Sequence, residues 1–148
     1  GYVSAHQEIV DLLRQRSRPY LFSNSVAPAV VAGSLKALEL VSTSSQARET
    51  LQRNASLFRT LMSEAGFDLL PGSHPIIPVM FPGEGGARTA AAVADHMLVD
   101  SGVYVIAFSF PVVPKGRARI RVQLSAAHSE DDVRQCVDAF VSARAVVA

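Results

Sequence analysis

The feature that most constrains the fold is a run of strict alternation near the end of the chain, from Arg117 to Ser125. Its apolar positions are Ala118, Ile120, Val122 and Leu124, and its polar positions are Arg117, Arg119, Arg121, Gln123 and Ser125. Because successive side chains of a strand point to opposite faces, the run predicts a strand with one apolar face and one face that carries three arginines. Guanidinium groups bind carboxylates and phosphates in a bidentate way. The polar face is therefore either the wall of an anion site or an ordinary solvated surface.

The residues after this strand predict a turn and then a helix. His128 is either a group beside the anion or a residue of the helix entry, and the pattern does not decide between them. Ser129 and Asp132 have the spacing of a capping box at a helix start. The expected buried stripe of that helix consists of Val133, Val137, Phe140 and Val141.

The rest of the chain alternates between helix and strand signals, which indicates an α/β fold. Pro78 inside one predicted strand favours an edge position, because proline cannot donate to the ladder. Further strands are predicted over 2–5, 67–70, 76–81 and 103–108, and further helices over 7–15, 29–41, 46–66 and 87–100. Pro19 is expected to stop the first of these helices, because proline disfavours the helical conformation in the residue before it. Gly66 and Gly102 are expected to end the third and the fourth. The expected total is four or five strands and three or four helices.

The segment 29–41 is apolar almost all round, which predicts a buried helix. The poor helix formers at 42–45 mark either a bend in one long helix or a boundary. The boundary would divide a leading arm, 1–44, from a domain over 45–148.

Composition limits the classes of function. A chain of 148 residues, 49% hydrophobic, is long enough for a globular core. Its net charge of +1 argues against general binding to nucleic acid or to a membrane surface. Cys136 is the only cysteine, which excludes an internal disulfide framework, and its helical position predicts a small core residue. The four histidines show no metal-ligand spacing.

Two further segments have a functional and a structural interpretation. Ser23 and Asn24 precede a helix start, where such side chains either bind a phosphate or cap the helix. The glycine-rich segment 83–88, GEGGAR, also precedes a helix and is either a phosphate cradle or a surface loop.

Three stretches together carry a family resemblance. They are RQRSRPYLFSNS at 14–25, HPIIPVMF at 74–81 and PVVPKGRARIRVQLSAAHS at 111–129. They resemble the glycine C-acetyltransferases, or 2-amino-3-ketobutyrate CoA ligases. These belong to the α-oxoamine synthases, pyridoxal-phosphate enzymes of the type I aminotransferase fold. The piece FPVVPKG at 110–116 distinguishes them from the 8-amino-7-oxononanoate synthases, which have an RPP-like stretch there.

The resemblance implies the C-terminal portion of such an enzyme. Residues 1–44 would form the end of the large cofactor domain and a linking helix. Residues 45–148 would form the small α/β domain with a mainly antiparallel sheet. Gly1 would follow just after the lysine that holds the cofactor as an internal aldimine. Lys36 and Lys115, the only lysines, do not stand in that motif, so the resemblance places no catalytic residue in this chain.

The resemblance also implies roles for individual residues. Arg121 matches the arginine that holds the substrate carboxylate. Ser23 and Asn24 match residues that contact the cofactor phosphate of the neighbouring subunit in a homodimer. His128 matches a patterned histidine of unassigned role.

The expected activity follows from the family. Glycine and acetyl-CoA would give 2-amino-3-oxobutanoate and CoA in threonine catabolism, in a mitochondrial matrix or a bacterial cytoplasm. The expected assembly is a homodimer with shared active sites, without nucleic acid or membrane, and the fragment alone would be inactive. The alternatives are another α-oxoamine synthase, such as 8-amino-7-oxononanoate synthase, and a free-standing anion-binding regulatory domain.

Overall fold

The computed structural model describes residues 2–147, and the chain divides into two compact units, Gly1–Ser44 and Ser45–Ala148. The first unit contains three helices, α1 (Gln7–Arg16), α2 (Arg18–Leu21) and α3 (Pro28–Thr43). The expectation that concerns Gly1 lies outside the described residues. The assignment of the two units to a large and a small domain stays a prediction.

The first unit departs from the sequence-based prediction in three ways. Residues 2–5 form no strand, because no other strand of this unit offers them a ladder. Pro19 does not end α1; it lies in the first turn of α2, where its missing N–H removes no helical hydrogen bond. The predicted burial of α3 is also wrong for this chain, since none of its residues is buried.

The second unit combines three helices with a three-stranded sheet. Its elements are α4 (Gln46–Glu64), β1 (Ile76–Pro82), α5 (Gly86–Ser101), β2 (Ile106–Phe108), β3 (Arg117–Gln123) and α6 (Glu130–Val147). The strand order is β1-β3-β2, and both pairings are antiparallel. The arginine strand β3 is therefore central, and β1 with Pro78 lies at an edge, as predicted.

Two of the predicted strands do not form over their predicted length. Within 67–70 only Leu69 pairs, through a single bridge to Val79. Within 103–108 only Ile106–Phe108 joins the ladder. The described residues thus form three strands and six helices, where four or five strands and three or four helices were expected. Strand-like residues form a strand only where a partner runs beside them, and the sequence does not reveal the partner.

The helix ends follow their sequence signals. Ser44 and Ser45 separate α3 from α4, so these are two helices and not one bent helix. Gly66 and Gly102 follow α4 and α5 with φ values of 75° and 66°. This left-handed conformation favours glycine, and it ends both helices as predicted.

The core lies between the three helices and the inner face of the sheet. The alternation of β3 is confirmed, since Ala118, Ile120 and Val122 are buried. Helix α5 packs on all three strands, and α6 packs on α4 and α5. The largest fully buried side chains are Phe58, Phe140, Met62, Ile77 and Met97.

The predicted stripe of α6 is wrong at one position, Val141, which is 40% exposed. The buried stripe continues instead from Phe140 to Ala143, following the helical spacing from Val133 and Cys136. No helix in the described part of the chain is long and apolar enough to cross a membrane.

Candidate functional site

The arginine face of β3 lies on the side of the sheet that faces away from the core. Arg121 stands in register between Pro78 on β1 and Ile106 on β2. Residues directly opposite one another in a ladder share a face, so Arg121 has an apolar neighbour on each side. Arg117 and Arg121 are exposed, and Arg119 is half-buried.

The three arginines differ in what their guanidinium groups contact. Arg119 donates its Nε–H to the carbonyl of Arg117 at 3.3 Å. The guanidinium carbon of Arg121 lies 4.8 Å from the centre of the Phe108 ring. Within residues 2–147, no hydrogen bond or ion pair uses the N–H groups of Arg121. Of the three arginines, Arg121 is therefore the one whose guanidinium contacts a ring and whose N–H groups are all available to bind an anion.

His128 takes part in the turn between β3 and α6. Its Nδ1 accepts a hydrogen bond from the backbone N–H of Ser125 at 3.2 Å. The backbone carbonyl of His128 accepts a hydrogen bond from the Asn54 side chain at 2.8 Å. These contacts support the helix-entry interpretation of His128. A contact between His128 and a bound anion stays a prediction.

Asn54 is a residue that the sequence reasoning missed. It is 3% exposed, and its amide donates to the carbonyls of Ser125 and His128 at 3.1 and 2.8 Å. The sequence could have indicated this role, because Asn54 lies beside Ala55 and one helical turn before Phe58, on the buried side of α4. A polar residue within an apolar stripe indicates a specific buried hydrogen bond.

The capping interpretation of Ser23 and Asn24 is wrong. The N-cap residue of α3 is Ala27, and no side chain caps that helix. Ser23 donates its hydroxyl to the carbonyl of Pro19 instead. Both residues are exposed on the segment between α2 and α3. Their proposed contact with a phosphate stays a prediction.

The glycines of segment 83–88 have backbone reasons to be glycine. Gly83 and Gly85 adopt φ values of 87° and 95°, which other residues rarely adopt. A Cβ atom on Gly86 would lie 2.0 Å from the carbonyl oxygen of Phe81. The close approach of α5 to the end of β1 therefore accounts for this motif, in agreement with the surface-loop interpretation.

Cys136 is a core residue, as predicted. Burial raises the pKa of its thiol to about 12, so the thiol is neutral and not a nucleophile at physiological pH. In the part of the chain that the structure describes, no group of His, Cys, Asp and Glu side chains could hold a metal ion.

A family model places the chain among known proteins. Residues 1–140 match the model described as aminotransferase class I and II. The chain belongs to the class I and II aminotransferase family. The predicted recognition of this enzyme family is thereby confirmed.

The curated relatives narrow the similarity within that family. The chain is 52% identical over 141 residues to the mitochondrial 2-amino-3-ketobutyrate coenzyme A ligase of Mus musculus, and 53% identical over 140 residues to the enzyme of that name from Escherichia coli K12. A Thermus thermophilus protein named 8-amino-7-oxononanoate synthase/2-amino-3-ketobutyrate coenzyme A ligase is 37% identical. Each match covers 95% of this chain. The chain spans about a third of the length of these relatives, 33–34%.

Two solved structures have a similar fold. A serine palmitoyltransferase from Sphingomonas wittichii superposes with a TM-score of 0.84 at 28% identity, covering 98% of this chain and 36% of that one. An 8-amino-7-oxononanoate synthase from Francisella tularensis has a TM-score of 0.78 at 20% identity, covering 96% of this chain and 40% of that one. The predicted α/β class and type I aminotransferase fold are confirmed, with a small antiparallel sheet.

Proposed function

We propose that this chain is the C-terminal portion of a pyridoxal-phosphate-dependent glycine C-acetyltransferase, which converts glycine and acetyl-CoA into 2-amino-3-oxobutanoate and CoA. The observation that carries the proposal is the 52–53% identity over 95% of the chain to enzymes that bear the synonymous name. The Thermus protein with the double name is less similar, at 37%. Threonine catabolism, a homodimer and a mitochondrial or bacterial setting belong to the same proposal.

The donor groups of the chain fit the proposed cofactor. The Asn24 amide and the Ser23 hydroxyl are exposed, and phosphate oxygens accept hydrogen bonds from such groups once the Ser23 hydroxyl is released from the Pro19 carbonyl. We assign both residues to the phosphate of the neighbouring subunit's cofactor. Lys36 is paired with Glu39 at 2.7 Å, and Lys115 lies over the Phe110 ring at 5.1 Å. Neither lysine stands in the family's cofactor-lysine motif, so we assign the covalent attachment of the cofactor to a residue outside this chain. When bound, pyridoxal phosphate supplies an electron sink for the charge that develops on the glycine Cα.

Arg121 is the residue that we assign to the substrate. Its fork binds the glycine carboxylate in a bidentate way and so fixes the orientation of the Cα–H bond that breaks. The Cα gives up this proton and bonds to the acetyl carbonyl carbon, and the C–S bond of the thioester breaks. CoA leaves with the electron pair of that bond and, in the overall balance, takes up one proton to become the thiol.

The activity is tested with the complete protein that contains this chain, loaded with pyridoxal phosphate. Release of CoA is measured with glycine and acetyl-CoA, and separately with serine and palmitoyl-CoA, the pair that matches the name of the structural neighbours. We expect CoA release and 2-amino-3-oxobutanoate from the first pair. A preference for other amino acids with longer acyl-CoA thioesters would favour another α-oxoamine synthase.

Arg121→Lys tests the clamp in the same protein. Lysine keeps the charge but loses the two parallel N–H donors, so glycine should bind more weakly and react more slowly. We expect kcat/KM to fall by about tenfold or more, the cost of one charge-assisted hydrogen bond. Arg117→Lys, on the same face without a ring contact, is the control and should change kcat/KM little. Equal effects of the two variants would remove the special role of Arg121.

A further inference from the structure

The Phe108 ring is the one aromatic contact of the Arg121 guanidinium among the described residues. Strand β2 places Ile106 directly opposite Arg121 and Phe108 opposite Arg119. Phe108 is thus the diagonal neighbour of Arg121 on the same face of the sheet. Long and aromatic side chains reach one another at that spacing, and the guanidinium carbon lies 4.8 Å from the ring centre.

A ring contact restrains an arginine without occupying its donors. A free arginine side chain has many rotamers, and holding one of them when a ligand binds costs conformational entropy. The π face of a ring attracts the cation, while the N–H bonds lie in the plane of the guanidinium and stay available. Arg119 shows the contrasting case, because its Nε–H is already bonded to the Arg117 carbonyl at 3.3 Å.

The ring itself is well anchored. Phe108 is half-buried on a strand that hydrogen-bonds to the central strand of the sheet. Ile106 occupies the same face of the same strand and lies even closer in register to Arg121, but it has no ring. The strand therefore offers a ring-bearing neighbour and a matched neighbour without a ring.

We propose that Phe108 is a positioning residue for substrate binding: its ring holds the Arg121 guanidinium in the orientation that receives the substrate carboxylate. This inference rests on the proposed role of Arg121 as the carboxylate clamp. Phe108 acts only through Arg121, so its effect should appear with ligands that carry a carboxylate and be absent with ligands that lack one.

Calorimetric titration of the complete protein with pyridoxal phosphate bound, without acyl-CoA, tests the inference. The probes are glycine and methylamine, which has the amine but no carboxylate. Phe108→Leu should weaken glycine binding about two- to fivefold, the value of an exposed cation–π contact, and leave methylamine binding unchanged. Phe108→Tyr keeps the ring and should bind glycine like the parent protein. Ile106→Leu changes the same face of the strand without a ring and should have no effect.

Four outcomes would overturn the inference. In the first, Phe108→Leu weakens the binding of glycine and of methylamine equally, which would indicate a general structural defect; in the second, it weakens the binding of neither. In the third, Phe108→Tyr binds glycine as weakly as Phe108→Leu does. In the fourth, Ile106→Leu weakens glycine binding to the same extent as Phe108→Leu. If Phe108→Leu does not fold, shown by loss of cooperative thermal unfolding, Phe108→Met takes its place. The proposed role of Arg121 fails separately, if the parent protein and Arg121→Lys have the same ratio of glycine to methylamine affinity.

Discussion

Asn54 ties the loop after the arginine strand to helix α4. Among the described residues, Asn54 is the one polar residue that is buried, and its side-chain amide donates hydrogen bonds to the carbonyls of Ser125 and His128. A buried polar group without a partner costs free energy, so the side chain and the two carbonyls depend on one another. Asn54 thereby fixes the path of the chain where β3 ends and α6 begins.

Asn54→Ala should lower the free energy of unfolding by about 1–3 kcal/mol, because it leaves two carbonyls without their donor. The measurement is chemical denaturation followed by circular dichroism. Ser56→Ala, an exposed position on the same helix, is the control and should cost no more than about 0.5 kcal/mol. A cost for Asn54→Ala as small as that of the control would mean that water replaces the amide without penalty.

Individual side-chain contacts also distinguish residues that occupy equivalent positions in the sequence pattern. Arg119 and Arg121 occupy equivalent positions in the alternation, and periodicity predicts their common face. Which guanidinium is free depends on the Arg117 carbonyl and on the Phe108 ring, and the latter comes from a different strand. The register between strands creates that contact, so sequence spacing alone could not predict it.

Among the helices, Gly86 in α5 is closely packed, whereas Gly33 in α3 has open space where a side chain would lie. A Cβ on Gly86 would lie 2.0 Å from the Phe81 carbonyl oxygen, whereas a Cβ on Gly33 in α3 would meet nothing within 4 Å. Gly86→Ala must push α5 away from β1 and should cost about 3 kcal/mol or more. Gly33→Ala removes backbone freedom from the unfolded chain and should raise helix stability by up to about 1 kcal/mol.

Thermal unfolding of the two glycine variants, followed by circular dichroism, checks both signs. Gly86→Ala should lower the midpoint, and Gly33→Ala should leave it unchanged or raise it. A Gly86→Ala variant with the parent midpoint would show that α5 shifts without cost.

The capping box at the start of α6 makes a pH-dependent contribution. The Ser129 backbone N–H and hydroxyl donate to Asp132 at 2.7 and 2.8 Å, and the Asp132 N–H donates to the Ser129 hydroxyl at 3.1 Å. These bonds, the backbone one above all, hold the pKa of Asp132 below its ordinary value of 3.8. The stabilisation is therefore complete above that value and is lost as the pH falls through the lowered pKa.

Asp132→Asn should lower the thermal midpoint by a few degrees at pH 7, and the difference from the parent protein should shrink below about pH 3.8. Asp131→Asn, in the same first turn, is the control for the loss of one negative charge near the helix start. A difference that persists undiminished at acid pH would show that the carboxylate form is not what stabilises the cap.

Helices and their ends were more predictable than strands. Gly66, Gly102 and the pair Ser129 and Asp132 act within a few residues of themselves, and their structural effects followed from the sequence. The strand predicted at 67–70 is reduced to a single bridge and the one predicted at 103–108 is shortened, because a ladder depends on a partner that is distant in sequence. The same reason applies to Asn54, whose partners lie more than 70 residues away.

At the scale of the whole molecule, the two units contribute differently to stability. The buried hydrophobic side chains run from Ala55 to Ala143, all within the second unit, and no residue of α1, α2 or α3 is buried. The hydrophobic free energy of folding therefore resides in residues 45–148. The exposed apolar side chains of α3, among them Leu35 and Val30, make a free-standing monomeric binding domain a poor explanation of the chain.

The 148-residue chain alone should not retain pyridoxal phosphate. Its two lysines are engaged with Glu39 and with the Phe110 ring, and neither stands in the family's cofactor motif. After incubation with the cofactor and dialysis, we expect no cofactor absorbance, whereas the complete protein treated in parallel should keep it. A band that survives dialysis in the chain alone would contradict the assignment of the cofactor lysine to another part of the protein.

The central position of β3 determines how this surface can vary. Hydrogen bonds on both sides fix its register, and a slip by one residue would turn the arginines into the core and Ile120 and Val122 into water. A one-residue insertion or deletion within the strand would have the same effect, whereas a change of length in the loop at 109–116 would leave the register of the strand unchanged, because the loop lies outside the ladder. We therefore expect the charge of the outer face to change by substitution and not by insertion or deletion within β3.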